Sequence, residues 1–236
     1  MKNLTTLLLL FTSIISFSQD ITGDELLEKA IQFHDPNGNW KTFEGALFVT
    51  METPKGTPRK SSIHINLPEE YFSVKAIRDT VTTAYTVRKG ICGMAINGDE
   101  NPSKEQIKKL GLSCKRANMY KNYYTYLYGL PMKLKDKGTI VHQKVTKKKF
   151  KGKDYLVLKA TYDKEVGKDT WYFYFNPKTF AMEVYQFFKE ESKNDGEYIL
   201  LSGLETINEV KMPKNRAWYY NKNNGYLGTD ILSSNK

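Results

Sequence analysis

Reactive side chains are scarce in this chain. Its 236 residues include two cysteines and three histidines. His34, His64 and His142 stand far apart, in no HxH or HExxH spacing that would set two imidazoles on one metal. There is no GxSxG elbow and no Gly-rich phosphate loop, so the usual signatures of an α/β-hydrolase serine and of phosphate binding are missing. The doubled carboxylates Glu69-Glu70 and Glu190-Glu191 do not stand in for them, because neighbours along a strand point to opposite faces. His34-Asp35 falls in a turn, where it serves the end of a helix better than a metal. The expectation is a protein without cofactor, metal or catalytic residue, and not an enzyme. A long apolar run is also lacking: Leu4 to Ile15 is an unbroken run of apolar and hydroxyl residues but falls short of the ~20 residues that span a bilayer.

That short run has another meaning. Met1-Lys2-Asn3 gives a positive start, and Ser16-Phe17-Ser18 places small residues at −1 and −3. Residues 1–18 read as a secretory signal peptide, with cleavage between Ser18 and Gln19. The residue directly after that point is Gln19 and not a cysteine, so a lipid anchor is not expected. Residues 19–236 then form one exported domain, with periplasm and the cell exterior both open, since a signal peptide dictates export alone. In an oxidising compartment Cys92 and Cys114 are a candidate disulfide, with two buried free thiols as the alternative. A bridge across a loop of roughly 20 residues would contribute about 3 kcal/mol in the chain-entropy model.

What the chain has in quantity is aromatic surface. Sixteen Tyr and twelve Phe, with many Thr, Val and Ile, lean toward β-structure. One helix opens the exported part over Asp24–Phe33, with Thr22 and Glu25 spaced as a capping box and a stop at His34-Asp35-Pro36-Asn37-Gly38. The period then changes to two. Strands are expected at 43–51, 61–67, 71–78, 82–88 and 91–96, separated by short turns that suit antiparallel hairpins. Two helices follow, one opened by Ser103 and closed by Gly111, the other running from Ser113 to Tyr128. Strands resume at 139–146, 155–162, 170–175, 181–189, 196–204, 217–220 and 226–231. The predicted fold is α+β: one curved antiparallel sheet of about eleven strands, a half-open barrel with an N-terminal helix and mid-chain lid helices.

Positive charge exceeds negative, with a formal net charge of +10. Lys144, Lys147, Lys148, Lys149, Lys151 and Lys153 crowd a predicted hairpin tip. Nucleic acid would call for aromatics interleaved with the basic groups, and Phe150 alone sits within the run; export argues further against it. Two readings remain open: contact with an anionic membrane surface, or a solvated hairpin whose charge keeps a sheet edge from pairing.

The densest pattern is Tyr120-Lys121-Asn122-Tyr123-Tyr124-Thr125-Tyr126-Leu127-Tyr128. On a helix Tyr120, Tyr123, Tyr124 and Leu127 form one stripe, which Tyr128 continues. Each tyrosine offers an apolar body and a polar tip, so the stripe either lines an amphipathic pocket or packs on a wide sheet with its hydroxyls toward water. The strand Trp171-Tyr172-Phe173-Tyr174-Phe175 is apolar on both faces, which requires cover on both sides or a cavity on one.

With these elements in order, the phrases His34-Asp35-Pro36 with Trp40, Tyr128-Gly129-Leu130-Pro131, and Ile207-Asn208-Glu209-Val210-Lys211-Met212-Pro213 carry a resemblance. The chain resembles an uncharacterised family of exported bacterial proteins and, more broadly, the LolA/LolB lipoprotein-localisation superfamily. The resemblance implies a curved sheet around an apolar cavity, helices as a lid, and a carrier of acyl chains or other lipids with no catalytic residue to transfer. On that view Tyr120, Tyr123, Tyr124, Leu127 and Tyr128 supply the lid side of the site and Trp171 and Phe173 the sheet wall. Basic side chains at the rim would hold an anionic head. The expected partner is a lipid or other hydrophobic small molecule, bound by a monomer. The alternative is an envelope interaction module with a filled core that meets another protein or a polysaccharide.

Overall fold

The computed structural model describes residues 20–234; the expected leader, residues 1–18, lies outside them. Helix α1 (Gly23–His34) starts as its residues dictate. The Thr22 hydroxyl accepts the Glu25 N–H, the Glu25 carboxylate accepts the Thr22 N–H at 2.8 Å, and Leu26, Leu27 and Ala30 turn inward. A meander follows: β1 (Glu44–Glu52), β2 (Arg59–Asn66), β3 (Tyr71–Arg78), β4 (Val81–Arg88) and β5 (Ile91–Ile96). Then come α2 (Lys104–Leu110) and α3 (Cys114–Tyr128), capped by Ser103 and Ser113. A second meander closes the chain: β6 (Thr139–Val141), β7 (Thr146–Phe150), β8 (Lys153–Tyr162), β9 (Thr170–Phe175), β10 (Met182–Phe188), β11 (Glu197–Ile207), β12 (Val210–Tyr220) and β13 (Tyr226–Ser233).

All thirteen strands join one antiparallel sheet in the order β5-β4-β3-β2-β1-β13-β12-β11-β10-β9-β8-β6, with β7 also on β8. The sheet does not close into a barrel. Its seam is the β1–β13 pairing, where Phe48 faces Ser233 and Glu52 faces Thr229.

The observed strands depart from the predicted ones in two places. Residues 139–146 divide because the Gly23 N–H bonds Gln143 O at 2.8 Å and Thr22 bridges to Lys144, which pulls the chain off the sheet toward α1. Residues 207–213 carry a hairpin instead of an irregular link: Asn208 and Glu209 take left-handed φ of 48° and 65°, and β11 and β12 run together up to that turn.

Both sheet faces are covered along β9. Phe173 and Phe175 enter the concave core, while Tyr174 joins Tyr155, Val157 and Val184 in a smaller cluster on the convex face, under Phe150 of β7. On the concave face α3 packs over β3, β4 and β5. Tyr124 stacks on Phe72 and Tyr120 packs at a tilt on Tyr85, with centroids 6.2 and 5.5 Å apart. Cys92 on β5 and Cys114 at the start of α3 are joined as a disulfide, Cα atoms 5.6 Å apart.

The end of α3 is fitted to Trp40. A Cβ on Gly129 would lie 2.2 Å from Trp40 Cζ2, so this indole reaches its place against the helix only because residue 129 has no side chain. Among the described residues no helix is long and apolar enough to cross a membrane.

Candidate functional site

Helix α3 fills one half of the concave face and overhangs the other. The overhang leaves an open cleft of about 550 Å³. Its floor is aromatic: Trp171 of β9, Phe187 of β10 and Trp218 of β12. Its roof is Tyr123, Tyr126 and Leu127 of α3, and Lys133, Asp136, Lys168 and Asp169 stand at its rim. Trp171 stacks on Phe187 at 5.0 Å and meets Tyr126 edge-on at 5.6 Å. The hydroxyls of Tyr126 and Tyr162 hydrogen-bond across the cleft. Burial pushes both phenols up, Tyr162 to about 12, so both stay neutral near pH 7. The result is a half-buried aromatic trough with few fixed charges inside and charged groups at its edge.

A second cleft of about 260 Å³ lies against the seam, lined by Met51, Thr53, Glu197, Leu227 and Asp230 together with Tyr123 and Trp218. The two clefts thus share a wall, the stacked Tyr123–Trp218 pair at 6.1 Å. Tyr123 is pinned there by donating its O–H to Asp230 Oδ2 at 2.9 Å. Burial raises the Asp230 carboxyl above its ordinary range, and the hydrogen bond from Tyr123 and the charge of Arg216 draw it back.

Of the seven residues expected from the sequence, the structure brings Tyr123, Leu127 and Trp171 into the main cleft. Tyr120, Tyr124, Tyr128 and Phe173 lie elsewhere: the first two pack over β3 and β4, and Tyr128 and Phe173 are fully buried. Tyr126, Phe187 and Trp218 line the cleft without having been singled out. Tyr126 stands off the stripe on the helical wheel, and Phe187 shares the inward face of β10 with Tyr185, a pattern that reads equally well as core. Trp218 carried no signal of its own.

His34 and Asp35 serve the fold. Nε2 of the buried His34 accepts the Met182 N–H at 3.0 Å, so Nδ1 holds the proton and donates it to Lys211 O at 2.7 Å. The Asp35 carboxylate accepts the N–H groups of Asn39 and Trp40 at 2.7 and 2.9 Å. Among the described residues no group of three or more His, Cys, Asp or Glu is placed to hold a metal ion.

Residues 3–235 match the model of a family described as "Family of unknown function (DUF6503)". The comparison with curated proteins returns no match. Among solved structures, the LolA superfamily protein NE2245 from Nitrosomonas europaea shares the fold at 14% identity and a TM-score of 0.53, over 91% of this chain and 92% of that one. A candidate outer membrane lipoprotein-sorting protein domain from Vibrio parahaemolyticus aligns at 10% identity and a TM-score of 0.49, over 89% and 91% of the two chains.

Proposed function

The chain belongs to the DUF6503 family of unknown function, and from that starting point we propose that it is an exported, non-enzymatic binding protein for a lipid or single acyl chain. The observation that carries the proposal is the cleft of about 550 Å³ between α3 and the inward face of β9, β10 and β12. Its volume falls within the ~300–1,000 Å³ of small-molecule sites, and its lining is of the apolar kind such sites use. Each methylene buried there would contribute about 0.8 kcal/mol, enough for a modest tail to bind without any specific polar contact. The likeness of fold to a LolA superfamily protein supports the same reading. Export is read from the leader-like residues 1–18, and residence in the periplasm is part of the same proposal.

The test is native mass spectrometry of the mature protein from its own envelope, with solvent extraction of whatever dissociates. Trp218→Ala and Phe187→Ala should each weaken uptake of a fatty acid by about tenfold or more, the loss expected for removing one large apolar contact, while the melting transition stays close to the parent's. A protein that emerges empty and takes up neither fatty acid nor phospholipid would sink the proposal. The packing of Tyr120 and Tyr124 over β3 and β4 favours one competing account, an interaction module that presents its surface to another envelope component. That account predicts the empty protein.

A further inference from the structure

A buried polar cluster stands directly behind the cleft. Arg216 of β12 is fully buried. Its Nη1 donates to Pro213 O at 2.7 Å, and its guanidinium carbon lies 3.8 Å from the centre of the Tyr128 ring. The Nε and Nη2 donors of Arg216 and the buried hydroxyls of Tyr128 and Tyr185 have no partner in good hydrogen-bond geometry, although Arg216 stands close enough to the Tyr185 hydroxyl to offset part of the rise that burial gives its pKa. Asp230 is the register partner of Arg216 across the β12–β13 ladder. Its carboxylate accepts the Tyr123 O–H and feels the charge of both Arg216 and Arg59, so one buried carboxyl answers two guanidinium groups. A guanidinium keeps its proton at any accessible pH, so a full positive charge sits out of water with donors to spare. Such a group is costly unless an anion answers it.

The cluster adjoins the cleft through shared side chains. Tyr185 packs on both floor tryptophans, with centroids 6.1 Å from Trp171 and 6.3 Å from Trp218. Tyr128 follows Leu127 of the roof. Tyr123 and Trp218 lie at the junction of both clefts, beside Asp230. The apolar trough is therefore backed by a fully buried cluster with surplus hydrogen-bond donors and positive charge in excess.

We infer that the ligand is a single-chain amphiphile with an anionic oxygen head, carboxylate or phosphate, which passes the Tyr123–Trp218 pair to meet Arg216, Tyr128 and Tyr185 while the tail stays in the aromatic cleft. This rests on the binding function proposed above and adds the chemistry of the head and the residues that receive it. It differs from an anion held by Lys133 and Lys168 at the rim, where salt would screen the attraction.

The experiment compares dodecanoate, dodecyl phosphate and dodecanol below their micellar concentrations, by calorimetry and tryptophan fluorescence on the full mature protein. One anion or both should bind about tenfold or more tightly than the alcohol, because charge-assisted hydrogen bonds to buried donors are the strong ones, and the stronger anion identifies the head. The preference should survive about 0.5 M salt, since buried pairs are screened little. It should collapse toward unity in Arg216→Gln and shrink several-fold in Tyr185→Phe. Equal affinity for all three ligands overturns the inference and leaves the apolar cleft standing. So does a preference that salt abolishes, or one that Arg216→Gln retains. Uptake of none of the three brings down the proposed function itself. The comparison on the parent protein decides the matter even if Arg216→Gln fails to fold.

Discussion

Single side chains in this protein set its response to acid. His34 spends both ring nitrogens on backbone partners, one accepting from Met182 and one donating to Lys211. A second proton on the ring would break the Met182 bond and place a charge in the core. Burial accordingly lowers the His34 pKa to about 4, against about 6.5 in an unfolded chain. Below pH 6.5 the unfolded state takes up a proton that the folded state refuses, so stability is fully present above that value and is lost as the pH falls toward 4. The linked loss is about 3 kcal/mol, since each tenfold difference in proton affinity between the two states is worth about 1.36 kcal/mol. Urea unfolding between pH 7 and 4 should show that slope, and a His34→Gln variant, already less stable, should show a flatter one. Parallel curves would assign the acid sensitivity to other groups.

At the level of elements, the lid is attached at both ends. Its start is bonded to the edge strand through Cys92–Cys114, spanning 22 residues, and its end is seated where Trp40 covers Gly129. In the chain-entropy model a bridge of that span contributes about 3 kcal/mol by constraining the unfolded chain. A Cys92→Ser, Cys114→Ser double variant should therefore unfold at clearly lower urea than the oxidised parent, and reductant should bring the parent to the same midpoint. A parent indifferent to reductant would mean the thiols are not bonded in solution. The helices were legible in the sequence because their signals are local: Thr22 with Glu25, Ser103 with Gln106, Ser113 at the head of α3. Which face of α3 meets the open cleft was not legible. Tyr120, Tyr123, Tyr124 and Leu127 share a stripe that is more than one neighbour wide, and the sheet beneath divides it, with β3 and β4 taking Tyr120 and Tyr124 and leaving Tyr123 and Leu127 to the cleft. Periodicity gives the orientation of a helix about its own axis. The strands beneath it, distant in sequence, decide what each flank touches. Arg216 escaped notice for a similar reason, since a lone arginine in a strand carries no sign of burial.

Across the whole molecule the decisive feature is the β1–β13 seam. The first and last strands pair in mid-sheet, with β2 on one side and β12 on the other, so neither meander has a finished edge without the other. The concave core is likewise continuous, running from Val87 and Ile96 at one end through Leu47 and Leu232 at the seam to Phe173 and Tyr185. Two half-sheets with separate cores would unfold independently; one sheet closed by its own termini should unfold once. The three tryptophans report on both halves, Trp40 beneath the lid and Trp171 and Trp218 in the cleft floor. Single-tryptophan variants followed by fluorescence, with circular dichroism alongside, should give coincident urea transitions. A chain ending after residue 225, which lacks only β13 and the tail, should lose the cooperative transition altogether, because its loss leaves β1 and β12 facing each other across a missing strand. Separate midpoints for Trp40 and Trp218, or a truncated chain that still melts sharply, would divide the protein into two domains and make the cleft a site between them.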